Sequence, residues 1–247
     1  MRIFSTLSRT FRWLMPQGPP RIHCVGDSHT SFFSGQLEMQ PRWPDRSHDL
    51  WPFFRSYRVG PALAFNLCRT GTRSKGRERL FKVLRRKVPA GERVLLCFGE
   101  IDCRAHLIRQ SETRGVPVAD LAAECVSRYF QVVREVRALN YQVMIWNVIP
   151  PTITTCLDCE YPVAGTFEER MSVTRVFNSL LLKHCEQESI PFISIFDAIL
   201  DASGIPDQRY FVDGIHLGPE AIALAVDAMK TVCPEIEFAA FAKQRAA

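Results

Sequence analysis

The sequence predicts a single α/β domain in which a five-stranded parallel sheet lies between two layers of helices. Short apolar segments alternate along the chain with longer segments whose apolar residues recur at helical spacing. Strands that alternate with helices of ten or more residues form βαβ units, and such units build parallel sheets. Because the short segments are apolar on both faces, helices must cover both sides of the sheet. The fold class is therefore a three-layer α/β sandwich.

The five predicted strands are short and end at polar or turn-forming residues. Gly99 follows the third, and Pro150 and Pro151 stop the fourth. The strands are predicted at 22–25, 53–59, 93–98, 141–149 and 192–196.

The predicted helices carry apolar residues at intervals of three and four. Gly60 and Pro61 open the first of them, and Pro219 falls in the first turn of the last. The helices are predicted at 60–67, 74–87, 118–139, 166–188 and 218–231.

The composition is that of a globular protein. Of 247 residues, 47% are hydrophobic and 23% are charged, which excludes a disordered or collagen-like chain. The net charge of +5 is too small to indicate a nucleic-acid partner. No apolar run of about 18 residues occurs, so no transmembrane segment is expected. Nine irregularly spaced cysteines do not form a disulfide pattern, which favours a reducing, cytoplasmic location.

We expect the folded domain to span residues 21–235. Residues 1–20 are basic, and arginines interrupt their apolar residues, so no signal peptide is predicted. They are interpreted as a poorly ordered or surface-packed lead-in, and a short amphipathic helix that contacts a membrane or partner is the alternative. Residues 236–247 form the predicted C-terminal tail. The sequence leaves the oligomeric state open.

Polar clusters follow the first, third and fifth predicted strands. In parallel sheets the working groups gather beyond the carboxyl ends of the strands. The clusters comprise Asp27, Ser28 and His29, then Glu100, Asp102 and Arg104, and finally Asp213 and His216.

Ser28 stands directly after the first strand, in the segment Gly26-Asp27-Ser28-His29. Gly26 permits a tight turn that would present the Ser28 hydroxyl at the sheet edge. A serine hydroxyl becomes a nucleophile when a base takes its proton. Taken alone, the segment favours a simpler interpretation, in which Ser28 caps a helix.

Asp213 and His216 supply the groups that a serine nucleophile needs. Asp213 stands three residues before His216, so its carboxylate can hold one ring nitrogen while the other faces Ser28. A histidine satisfied at a helix N-terminus is the alternative. A serine motif near the start and Asp-x-x-His near the end favour catalysis, with Ser28 as nucleophile, His216 as base and Asp213 as its orienting group.

These two segments resemble the first and fifth sequence blocks of the SGNH/GDSL hydrolase superfamily, with His29 where the name-giving motif has Leu. The resemblance spans about residues 21–232. It implies a flavodoxin-like sheet of strand order 2-1-3-4-5, a Ser-His-Asp triad and hydrolysis of lipid, glycan or small acyl esters. It also implies that Gly60 is the second-block glycine, whose N–H helps to hold the oxyanion.

The third block departs from the family pattern Gly-x-Asn-Asp. Here Ile101 occupies the Asn position and cannot donate to an oxyanion, a loss that typically costs about 10²–10³ in rate. Arg104 is the first candidate replacement, and Asn147 at the end of the fourth strand is the second. Substrate or oxyanion contacts are also open to Asp27, Glu100 and Asp102. The alternative is that Glu100, Asp102 and Arg104 form an ion-pair network that braces the loop.

Two further features of the sequence bear on the site. Cys156 and Cys159 form a lone C-x-x-C without the second pair that structural zinc needs, so two loop thiols are the favoured interpretation and no metal or other cofactor is predicted. The segment 40–54 holds four aromatic residues. It either forms a wall of the substrate pocket or packs over the sheet.

The predicted function is metal-independent hydrolysis of an O-acyl ester, with an O-acetyl group on a glycan as the favoured substrate. The run from Gly99 to Arg104 supports the glycan, because it resembles an SGNH-like subgroup associated with bacterial surface-polysaccharide genes. Two alternatives stay open. The same triad could transfer the acyl group to a polysaccharide hydroxyl, or the protein could be a non-catalytic glycan-binding or scaffold relative that keeps the fold.

Overall fold

The computed structural model describes residues 21–37, 49–51, 53–153, 162–234 and 236. One parallel sheet has the strand order β2-β1-β3-β4-β5, as the resemblance implied. Its strands are β1 (Ile22–Gly26), β2 (Phe54–Arg58), β3 (Arg93–Cys97), β4 (Gln142–Trp146) and β5 (Phe192–Ile193). The predicted lead-in 1–20 and the tail beyond 236 lie outside the described residues, so the proposed domain boundaries stay predictions.

Five α-helices are present in the described ranges. They are α1 (Gly76–Lys87), α2 (Leu107–Arg114), α3 (Val118–Ala138), α4 (Phe167–Glu188) and α5 (Ile222–Val232). Thr166 caps α4: its hydroxyl accepts from the N–H of Glu169, whose carboxylate accepts from the N–H of Thr166.

Helices cover both faces of the sheet, which confirms the three-layer prediction. One face packs against α1, α3 and α4. The other packs against α5 and a 3₁₀ turn at Ser28–Ser34, which buries Phe33. Because alternate residues of a strand point to opposite faces, neighbouring residues of β3 such as Leu95 and Leu96 belong to different cores.

The prediction of a helix at 60–67 is wrong. The structure has only a three-residue 3₁₀ turn at Ala64–Asn66. Gly60 adopts a left-handed φ of 97°, and Asp102 accepts the backbone N–H groups of Ala64 and Phe65. Their backbone groups are therefore satisfied without a helix.

Other differences from the prediction concern lengths and one missed helix. The strands predicted at 141–149 and 192–196 are shorter, because Asn147 Oδ1 accepts the N–H of Ile195 and replaces the next ladder bond. The helix α2 was not predicted, and it follows a π-helical turn at Asp102–His106. The last predicted helix begins as a 3₁₀ turn at Pro219–Ala221.

Among the residues searched, no helix combines the length and apolar character needed to cross a bilayer. All seven cysteines in the described part of the chain are free thiols. Cys156 and Cys159 fall outside it.

Candidate active site

The sheet register brings three turns to one edge. Gly26 of β1 pairs with Arg58 of β2 and with Cys97 of β3. Ser28, Gly60 and Gly99 each lie two residues beyond these partners. The residues that follow β1, β2 and β3 therefore meet at the carboxyl edge, where sites of parallel sheets form.

The turn that carries Ser28 is set by its two preceding residues. A Cβ on Gly26 would lie 2.1 Å from the carbonyl oxygen of Cys97, so only glycine fits at the end of β1. Asp27 caps the 3₁₀ turn, since its carboxylate accepts from the N–H of His29 at 3.0 Å. The cap is thus Asp27 rather than Ser28, which leaves the serine hydroxyl for another partner. Burial raises the pKa of Asp27 well above its usual range, against the effect of the His29 N–H.

Ser28, His216 and Asp213 form a continuous hydrogen-bonded row. Ser28 Oγ lies 2.9 Å from His216 Nε2, although 188 residues separate them in the chain. His216 Nδ1 lies 2.8 Å from Asp213 Oδ2. With the ring proton on Nδ1, the imidazole donates to Asp213 and accepts from Ser28. This is the geometry in which a histidine can act as the base for a serine.

Asp213 is held by its own turn. Its Oδ1 accepts from the N–H groups of Ile215 at 2.7 Å and His216 at 2.6 Å. Partial burial alone would raise the pKa of Asp213, but these donors and the His216 ring outweigh it and hold that pKa below its usual range. The carboxylate is therefore ionised at neutral pH.

A second layer supports the same turn. The hydroxyl of Thr152 donates to the carbonyl of Gly214, between Asp213 and His216. The carbonyl of Thr152 accepts from Arg170 Nη2 at 3.1 Å. Arg170 is 1% exposed, so a buried cation on α4 anchors the chain that supports the row.

Two backbone N–H groups at this edge are available to an acceptor from outside the described chain. The N–H groups of Ser28 and Gly60 have no acceptor in the part of the chain that the structure describes, and both residues lie at the sheet edge. Ile101 is 3% exposed and adds no donor.

The acidic and basic residues after β3 form hydrogen bonds with other groups of the protein. Arg104 Nε donates to Glu100 Oε1 at 2.6 Å. The carboxylate of Asp102 binds the loop after β2. These contacts fit the interpretation of a bracing network, and Arg104 uses its Nε on Glu100 rather than on Ser28.

Asn147 lies in a structural contact rather than at the site. Its amide donates to the carbonyl of Val148 at 2.8 Å and accepts the N–H of Ile195 at 3.1 Å. It joins the end of β4 to the segment after β5, which argues against the predicted role as an oxyanion donor.

The aromatic segment 40–54 is described only in part, and Trp43 lies outside the described residues. Phe53 and Phe54 are buried in the core on the α5 side of the sheet. They therefore pack in the core rather than line a substrate pocket.

A small open cleft lies beside Ser28. Its walls come from the Ser28 turn and from the segment around His216; the lining includes Ser31, Phe32, Gln36, Leu37, Val212 and Leu217. Within the searched ranges no group of three or more potential ligands could hold a metal ion.

His29 is a residue of the site for which no role was predicted from the sequence. Its ring centroid lies 4.8 Å from that of His216, and its Nε2 lies 3.2 Å from Glu100 Oε2. The signal in the sequence was the histidine in place of the motif's leucine, directly after the nucleophile.

The comparisons with known proteins identify the fold. No family model and no curated protein matches the chain. Solved structures do match. A protein of Desulfitobacterium hafniense assigned to the G-D-S-L lipolytic family aligns with a TM-score of 0.53 at 13% identity, over 86% of this chain and 98% of its own. A Streptococcus pneumonia protein assigned as a platelet activating factor aligns with a TM-score of 0.53 at 16% identity, over 88% and 86%.

The C-terminal domain of Drosophila Oskar aligns with a TM-score of 0.51 at 14% identity, over 85% of this chain and 87% of its own. At these identities the likeness concerns the fold alone. The chain therefore has the α/β fold of the SGNH/GDSL hydrolases, with its sheet order and all-parallel strands.

Proposed function

We propose that the protein is a serine esterase that hydrolyses small O-acyl esters, with an O-acetyl group on a glycan as the substrate class. The observation that carries the proposal is the row of contacts from Ser28 Oγ to His216 Nε2 at 2.9 Å and from His216 Nδ1 to Asp213 at 2.8 Å. Ser28, which is 188 residues from His216 in the chain, meets the local pair of His216 and Asp213 in the order that serine hydrolysis requires.

The reaction proceeds in two halves. His216 takes the proton of Ser28 as the oxygen attacks the ester carbonyl, and Asp213 stabilises the imidazolium. The N–H groups of Ser28 and Gly60 donate to the oxyanion. Collapse of the tetrahedral intermediate breaks the ester bond, and His216 returns the proton to the leaving alcohol. Water, activated by His216, then releases the acid and restores the Ser28 hydroxyl.

The cleft supports a small acyl group. It is small and open, with an apolar side at Phe32 and Leu217 and polar groups at Ser31 and Gln36. In the proposed complex an acetyl methyl group would pack against the apolar side, and sugar hydroxyls would hydrogen-bond to the polar groups.

Hydrolysis of p-nitrophenyl acetate and labelling by a fluorophosphonate probe test the proposal. Ser28→Ala and His216→Ala should each lower kcat at least about 10³-fold, and Ser28→Ala should also abolish labelling. Ser179→Ala, on the exposed side of α4, is the matched control and should behave as wild type. Wild-type protein that neither turns over nor labels would refute the esterase and favour a non-catalytic relative.

The fate of the acyl group separates hydrolysis from transfer. With an O-acetylated glycan as donor, the proposal expects one free acetate for each ester lost, even when a second glycan is added. Acetate recovered on the added glycan would instead favour the acyltransferase.

A further inference from the structure

His29 lies inside the site, between the general base and a buried ion pair. Its side chain is 7% exposed, and it lines the same cleft as Ser28 and His216. The two imidazole rings have their centroids 4.8 Å apart and their planes inclined by 35°. The two rings are therefore in tilted packing contact.

The ring of His29 is anchored from its other side. Its Nε2 lies 3.2 Å from Glu100 Oε2, while Glu100 Oε1 accepts from Arg104 Nε at 2.6 Å. Burial alone would raise the pKa of Glu100, but His29 and Arg104 outweigh it and lower that pKa to about 2. The carboxylate is thus ionised and lies within ion-pair distance of His29 Nε2. Neither ring nitrogen of His29 has a partner with hydrogen-bond geometry among the described residues.

These contacts give His216 a second neighbour in addition to Asp213. Asp213 fixes Nδ1 of His216 in the plane of the ring, and His29 packs against the ring itself. A displacement of the base by about 1 Å can cost about 10²-fold in rate, so a packed neighbour on the ring has catalytic value.

The charge state of His29 decides whether this contact helps. Burial lowers the pKa of His29, against the effect of Glu100. The charged or titratable groups that act on the ring are Glu100, Arg104 and His216, whereas the carboxyl of Asp27 contacts the backbone N–H of His29. A neutral ring does not oppose the positive charge that develops on His216 during attack. A protonated ring would repel it.

We propose that His29, held by Glu100 and Arg104, is a positioning residue for His216 and assists catalysis only while its ring is neutral. This inference rests on the proposed serine esterase. The family motif has leucine at this position, so an aliphatic side chain takes the place of the titratable ring of His29.

Two substitutions separate the ring contact from its charge. His29→Ala removes the ring and should lower kcat for p-nitrophenyl acetate about tenfold with KM changed less than twofold. His29→Phe keeps an aromatic ring without a titratable nitrogen. It should retain kcat within about threefold at pH 8, and the acid limb of its pH profile should be less steep than that of wild type. Fluorophosphonate labelling of Ser28 should follow the same order.

His23→Ala is the matched control. His23 is also buried, on β1, but it stacks on Tyr57 at the other end of the strand. Its loss should leave kcat and the shape of the pH profile unchanged.

The outcomes distinguish this inference from the esterase itself. If wild type turns over while His29→Ala keeps the wild-type kcat and pH profile, the positioning role is refuted and the esterase stands. If His29→Phe loses as much activity as His29→Ala at pH 8, ring packing is not the cause, and the inference is again refuted. An inactive, unlabelled wild type would refute the esterase instead.

Discussion

The carboxylate of Asp102, in the segment after β3, accepts a hydrogen bond of 2.7 Å from the backbone N–H of Ala64, in the loop after β2. It also accepts from the N–H of Phe65 at 3.2 Å. Asp102 is 1% exposed. One buried carboxylate therefore fixes the loop that Gly60 begins, and it replaces the helix that the sequence predicted there.

Asp102 should make stability depend on pH. Burial raises its pKa from 3.8 to about 6, although the loop N–H groups work against this. Because the folded protein binds this proton more tightly than the unfolded chain, the group's contribution to stability is greatest below about pH 4 and declines as pH rises to about 6. The difference in free energy of unfolding between wild type and Asp102→Asn should fall by up to about 3 kcal/mol from pH 4 to pH 7. Urea unfolding at several pH values measures it, and a constant difference would contradict the prediction.

Gly26→Ala should disturb both the sheet edge and the nucleophile. The added Cβ would lie 2.1 Å from the Cys97 carbonyl oxygen and 2.3 Å from Thr30 Oγ1, so the backbone must shift, at about 1–3 kcal/mol. We expect a lower melting temperature and a kcat reduced at least about tenfold, because Ser28 is two residues away. Gly91→Ala is the control: its Cβ meets nothing within 4 Å, and its positive φ costs about 1 kcal/mol without a change in kcat.

Asp213→Asn should lower kcat about 10³–10⁴-fold with little change in KM. The Asn amide can present its NH₂ group to Nδ1 of His216, which favours the tautomer with its proton on Nε2, facing Ser28. Steady-state hydrolysis of p-nitrophenyl acetate measures the effect. A loss below tenfold would show that His216 does not depend on Asp213 for its orientation.

Thr152→Val should loosen the His216 turn without unfolding the protein. The substitution keeps the shape of the side chain but removes the hydroxyl that donates to Gly214, and a neutral hydrogen bond contributes about 1 kcal/mol. We expect kcat to fall about three- to tenfold. Thr152→Ser retains the donor and should recover most of the activity. Equal kcat values for the Val and Ser variants would show that this hydrogen bond does not position His216.

The sequence predicted the sheet correctly and named a row of catalytic candidates, in both cases from local features. Apolar strands such as Arg93–Cys97 show their burial on both faces directly in composition. The spacing of Asp213 and His216 sets their contact within one turn, so that geometry is local too. The helix at 60–67 failed because its alternative partner, Asp102, lies 38 residues away from Ala64.

Arg104 and Asn147 likewise have hydrogen-bond partners that the sequence did not predict. Both stand at the carboxyl edge, and either could donate to an oxyanion by chemistry alone. Their hydrogen bonds instead go to Glu100 and to the backbone of Val148. Which acceptor a side chain takes depends on what the fold brings within about 3 Å of it, and the sequence does not contain that distance.

By itself the sequence determined the α/β class, the parallel sheet, and Ser28, His216 and Asp213 as the groups to consider. These follow from periodicity and short-range spacing, which act through neighbouring residues. Only the tertiary structure decided that Ser28 and His216 lie 2.9 Å apart and that His29 packs on the same ring. Such contacts arise when parallel strands bring distant turns to one edge, so they depend on the register of the whole sheet rather than on any one segment.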